Sequence, residues 1–103
     1  MLRVVLTQRA ETSLEEIVDY YSSTFSASRT IKVVESIDAA FLQIAKKPYS
    51  YPVCFDIDEP QKDIRQVIVH NTFKIIYRVQ IDTIEVLEVF HTKRNPATLK
   101  DVE

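Results

Sequence analysis

The chain has 103 residues, enough for one domain that buries roughly two-thirds of the surface its unfolded form exposes. With 46% hydrophobic and 27% charged residues its composition is that of an ordinary globular protein, and a net charge of −2 carries no global signature of a nucleic-acid binder. Glycine is absent and cysteine occurs once, which excludes the glycine-rich nucleotide-binding loops and leaves Cys54 unable to staple the chain by itself.

Residues 2–6, Leu-Arg-Val-Val-Leu, read as a short buried strand. The run is too short for a signal peptide or a membrane span, so a cytoplasmic location is expected. Thr7 is a suitable N-cap for a first helix, in which Ala10, Leu14, Ile17, Val18, Tyr21 and Phe25 recur with the 3.6-residue period. Glu11, Glu15, Glu16 and Asp19 fill much of the remaining surface near the N-terminus, where the helix dipole favours them. Ser26-Ala27-Ser28 supplies a break and a second N-cap. A second helix then presents Ile31, Val34, Ile37, Phe41 and Ile44 on one side and ends near Lys46-Lys47, before Pro48. So short a connection makes the two helices an antiparallel hairpin.

Residues 48–52, Pro-Tyr-Ser-Tyr-Pro, form an irregular bend, and residues 53–57 are a candidate edge strand. Cys54 within it reads as a small hydrophobe. Three strands follow, over residues 63–70, 73–79 and 84–91, turning near Asn71-Thr72 and Asp82-Thr83. Residues beyond Pro96 read as a tail or a fragment of helix. The whole is one α+β domain over residues 1–103: an N-terminal strand, an α-helical hairpin, then an antiparallel sheet covered by the helices on one face.

Charge is unevenly distributed. Residues 1–61 hold six Lys/Arg against nine Asp/Glu, whereas residues 62–94 hold six against four. The strands of the second half therefore carry Arg65, Arg78 and His91 among β-branched residues, with Lys93 and Arg94 just after the last, a pattern suited to gripping an anion on a rigid sheet. Tyr77 and Arg78 are adjacent on a strand and face opposite ways, Tyr77 into the core and Arg78 out of it. His70 and His91 are the only histidines, with no Cys/His pair nearby, so no metal site is expected. Arg65 has a second reading as an ion-pair partner of Asp63, Glu85 or Glu88, and His91 a second reading as a hydrogen-bonded strand end. His70, beside a turn, is expected to be exposed.

The order of these landmarks resembles the RelE/ParE superfamily of toxins from type II toxin–antitoxin modules, the plasmid-stabilisation type. The resemblance is carried by the opening strand ending in Thr7, the Ala10…Leu14-Glu15-Glu16-Ile17…Tyr20-Tyr21 helix and the Pro48-x-x-Tyr51-Pro52 bend. It continues through Ile64-Arg65, Phe73-x-Ile75-Ile76-Tyr77-Arg78-Val79 and Val89-Phe90-His91-x-x-Arg94-x-Pro96, and so covers nearly the whole chain. It implies a cognate antitoxin whose C-terminal segment wraps the toxin, no cofactor, and one of two targets.

RelE-like members cut mRNA on the ribosome without a metal; ParE-like members block DNA gyrase and catalyse nothing known. The first activity needs a proton removed from the 2′-hydroxyl, a proton supplied to the 5′-oxygen and stabilisation of phosphoryl charge. For that reaction the resemblance implies Arg65, His91 and Arg94 as catalytic residues, with Lys93 and Arg78 binding substrate. Ribosome-dependent mRNA cleavage is thus the leading expectation and gyrase inhibition the alternative. The acidic stretch over residues 55–60 departs from the basic character of the nucleases, and an acidic protein approaches the polyanionic ribosome without long-range attraction.

Overall fold

The computed structural model describes residues 2–53, 63–70 and 72–92. Its elements run β1 (Arg3–Leu6), α1 (Gln8–Thr24), α2 (Ala27–Lys46), β2 (Ile64–Val69), β3 (Phe73–Val79) and β4 (Thr83–His91). The expected edge strand over residues 53–57 is represented by a single bridge from Val53 to Arg65, the rest lying outside the described residues. The segment after Pro96 lies outside them as well.

Both helix starts follow from hydroxyl caps. The Thr7 side chain accepts from the Ala10 amide at 3.1 Å, and the Ser26 side chain accepts from the Arg29 amide at 3.2 Å. Each satisfies a backbone donor that the helix itself cannot. In α1 the buried stripe is Ala10, Ser13, Ile17 and Tyr21, with Leu14 and Phe25 packed at its margin. In α2 it is Thr30, Ile37, Ile44 and Ala45. Ile31, expected on that stripe, is instead 56% exposed. The periodicity of α2 is compatible with either neighbouring column, and packing against α1 and the sheet selects the one through Thr30 and Val33.

The four strands form one sheet in the order β1-β4-β3-β2. β2, β3 and β4 make the expected antiparallel meander, while β1 joins β4 in parallel, so the sheet is mixed. Phe73, Ile75 and Tyr77 alternate onto the helix-covered face, where they meet Ile17, Tyr21, Ile37 and Ile44 in the main core. Ile76 points the other way, into a second buried cluster with Ile64, Leu87 and Phe90. Burying each of these side chains contributes roughly 1.5–3 kcal/mol before the entropic cost of ordering it.

The β3–β4 register shifts between Ile76, opposite Glu88, and Tyr77, opposite Val86, which leaves Leu87 as an extra residue. Thr7 pins this bulge. Its amide donates to Val86 O at 3.0 Å and its hydroxyl to Leu87 O at 3.2 Å, so one residue both caps α1 and docks it on the sheet. With no glycine in the chain, two left-handed backbone positions fall to other residues: Asp63 at φ 49° and His70 at φ 51°. Asp and His are among the side chains that tolerate that region best.

Candidate functional site

Arg65 leaves β2 on the helix-covered face, directly opposite Tyr77 of β3. Its Nε donates to Asp63 Oδ1 at 3.0 Å, and its Nη1 donates to Tyr51 O at 2.7 Å and more weakly to Tyr49 O at 3.4 Å. The guanidinium also lies 5.0 Å from the centre of the Tyr49 ring. Tyr77, fully buried, donates its hydroxyl to Pro48 O at 2.6 Å. Burial pushes the Tyr77 phenol well above its ordinary value, and the nearby Arg65 charge pulls it back only in part. The two side chains together fasten the bend after α2 to the sheet. Of the two readings the sequence left open for Arg65, the ion pair with Asp63 is present, and three carbonyl or carboxylate oxygens accept from its Nε and Nη1.

Arg78, next along β3, faces away from Tyr77 as expected. It pairs across the strands with Glu85 on β4, its register partner. Arg65 and Arg78 therefore stand on opposite faces of the sheet. His91 ends β4 opposite Phe73, and its ring meets the Phe73 ring edge-on at 5.7 Å. Lys93 and Arg94 lie outside the described residues.

The register fixes how far apart these groups are. Arg65 is level with Tyr77, His91 is level with Phe73, and β3 runs between their strands. Four residues along a strand and two strand spacings across put their Cα atoms about 16 Å apart. The Arg65 guanidinium is bonded to Asp63 and to the carbonyls of residues 49 and 51, at the end of β2 away from His91, so in this arrangement the two groups do not flank one phosphodiester. Among the described residues, then, Arg65 and His91 are at opposite corners of one face, and Arg78 is behind it. No group of three or more His, Cys, Asp and Glu that could hold a metal ion occurs among the described residues.

Two polar features escaped the sequence reading. Glu88, 4% exposed, is held by the Arg9 Nε at 3.0 Å and by the Val89 amide at 3.0 Å. It forms one wall of an open cleft that also includes Gln8, Thr12 and Glu16. A second cavity, of about 170 Å³, opens between the start of α2 and the β2–β3 turn, with Arg29, Lys32 and His70 on its rim. The signal for the second was spread over two segments some forty residues apart, and only the fold joins them.

Residues 4–96 match the family model described as the ParE toxin of the type II toxin–antitoxin system parDE. Among solved structures, one described as the chromosomal ParDE toxin–antitoxin system from P. aeruginosa superposes with a TM-score of 0.73 at 18% identity, covering 90% of this chain and 98% of that one. A conserved hypothetical protein from Helicobacter pylori superposes with a TM-score of 0.56 at 14% identity, covering 91% of this chain and 98% of that one. At such identities the likeness is one of fold. No curated protein sequence matches significantly.

Proposed function

The chain belongs to the ParE toxin family, within the RelE/ParE superfamily of type II toxins, and from that premise we propose that it arrests growth by binding its target, DNA gyrase, without cleaving RNA. The observation that carries this reading is the separation of Arg65 from His91. Metal-free phosphodiester cleavage needs its proton-transfer group and its phosphate clamp within reach of one scissile bond. Here the Cα atoms of the strand arginine and the histidine are about 16 Å apart by strand geometry, and the guanidinium is tied to Asp63 and to the carbonyls of residues 49 and 51, away from His91. A net charge of −2 also suits a protein target better than the ribosome's phosphate surface.

The partner is a cognate antitoxin, in line with the toxin–antitoxin pair named for the structurally similar protein from P. aeruginosa. No helix among the described residues is long and apolar enough to cross a membrane. A cytoplasmic location is proposed because a toxin acting on gyrase or on ribosomes works there. Cleavage of ribosome-bound mRNA is the second reading. It is favoured by His91, which stands at the end of β4 immediately before Thr92, Lys93 and Arg94, a run that can supply a proton shuttle and cations without Arg65. Inducing the protein in cells and following plasmid supercoiling and protein synthesis separately tests the choice. Early loss of supercoiling with translation intact supports the gyrase reading; early loss of translation supports the nuclease.

A further inference from the structure

The cavity beneath the β2–β3 turn combines features that neither target reading uses. From α2 it receives Arg29, Lys32 and Ser36, which at spacings of three and four lie on one face of the helix. From the turn it receives His70 and Thr72, and Phe73 also lines it. Among the described residues no carboxylate lines it.

Arg29 is anchored at the edge of the cavity: its guanidinium carbon lies 3.9 Å from the centre of the Phe25 ring. The Arg29 amide is tied to the Ser26 cap. Across the opening, Thr72 closes the turn by donating its amide to Val69 O at 2.9 Å and its hydroxyl to His70 O at 3.0 Å. The left-handed backbone at His70 lets this turn form without glycine. Tyr21 packs against Phe73 at 5.9 Å, and both rings are buried beneath the cavity.

A rim of Arg29, Lys32 and His70 around a cavity of about 170 Å³, with no carboxylate among its described lining residues, matches a small anion. We propose that this cavity binds a phosphate monoester, with the phosphate between Arg29, Lys32 and His70. The source is either a mononucleotide or the phosphorylated end of a nucleic-acid strand; both present the same chemistry. The proposal is independent of whether gyrase or the ribosome is the toxin's target.

Calorimetric titration of the purified toxin with adenosine monophosphate, adenosine, inorganic phosphate and an acidic hexapeptide tests it. Adenosine monophosphate is expected to bind at least roughly tenfold more tightly than adenosine, because charge-assisted hydrogen bonds to the phosphate are lost. The Arg29→Ala/Lys32→Ala double variant should lose about tenfold in affinity, and His70→Asn, which keeps a residue tolerant of positive φ, a smaller factor. Comparing 5′-phosphorylated and 5′-hydroxyl oligonucleotides identifies the source: a preference for the phosphorylated strand over the mononucleotide assigns strand ends. Because variants can misfold, amide spectra of the wild-type protein give a second readout, with shifts expected at His70, Thr72 and Phe73. Equal binding of adenosine and its monophosphate, unchanged affinity in the double variant, tighter binding of the acidic peptide, or shifts confined to other residues would each overturn the proposal.

Discussion

Arg65 and Tyr77 face each other across the β2–β3 ladder, and both reach from the sheet to the carbonyls of one bend: Arg65 to Tyr49 and Tyr51, Tyr77 to Pro48. This relationship gives the strand arginine a structural task. It also shows how a charged residue is accommodated on the helix-covered face: its Nε is met by Asp63 and its Nη1 by backbone oxygens.

Arg65→Lys is the first consequence to measure. Lysine cannot reproduce a fork that reaches Asp63 with one nitrogen and two carbonyls with another. The variant should lose about 1–3 kcal/mol of stability, the cost of a lost charge-assisted hydrogen bond beside a partly buried carbonyl. In a domain of this size each kcal/mol lowers the melting temperature by about 4–8 °C. Toxicity should fall only in proportion to folded protein. Full loss of toxicity with an unchanged melting temperature would instead make Arg65 an anion clamp.

Tyr77 makes stability depend on alkaline pH. Its phenol is neutral in the fold and, through burial, ionises at higher pH there than in the unfolded chain. Its contribution is therefore complete below about pH 10, where an unfolded tyrosine ionises. It is lost progressively above that, because only the unfolded state gives up the proton. Between about pH 9.5 and 11.5 the wild type should lose stability more steeply than Tyr77→Phe. The remaining tyrosines act in both proteins and cancel in the comparison. At neutral pH the variant should be about 1 kcal/mol less stable, for the hydrogen bond to Pro48 O. Parallel pH curves would show that the phenol is not desolvated.

Most of this fold was legible in the chain. Thr7 announced its cap and the segment 26–28 a second, the α1 stripe through Ala10, Ile17 and Tyr21 lay where its period put it, and strand alternation put Tyr77 inside and Arg78 outside. What escaped reading depends on long-range pairing. The parallel β1–β4 ladder joins Arg3 to Thr83, and no local pattern encodes such a partner. Ile31 was exposed because helical period alone does not choose between adjacent columns. The candidate site was legible as a set of residue types but not as a place. Strand order and the bulge at Leu87 decide that Arg65 and His91 occupy opposite corners, and neither order nor bulge is written in residues near them.

Arg9 and Glu88 form the ion pair with most at stake, because Glu88 is buried while Arg9 is partly exposed. Arg9→Met leaves the carboxylate with only the Val89 amide of the two contacts described here, and should cost about 1–3 kcal/mol, below the full penalty of a wholly buried pair. Adding Glu88→Gln to that variant should recover part of the loss, since a neutral amide is cheaper to bury. Strict additivity of the two changes in chemical denaturation would mean that the pair contributes nothing.

The antitoxin prediction concerns the whole protein. Expressed alone the chain should stop growth, and co-expression of its cognate antitoxin should restore it through a stable complex. Vigorous growth at high levels of the soluble protein alone would argue against its acting as a toxin.

Supercoiling by purified DNA gyrase, titrated with the purified protein beside an assay of mRNA cleavage on programmed ribosomes, tests the central claim most directly. Dose-dependent loss of supercoiling is expected, with no ribosome-dependent cleavage. His91→Gln should weaken the inhibition by no more than a contact's worth, about 1–2 kcal/mol. Ribosome-dependent cleavage by the wild type that falls on the order of a hundredfold in His91→Gln, with gyrase unaffected, would contradict it.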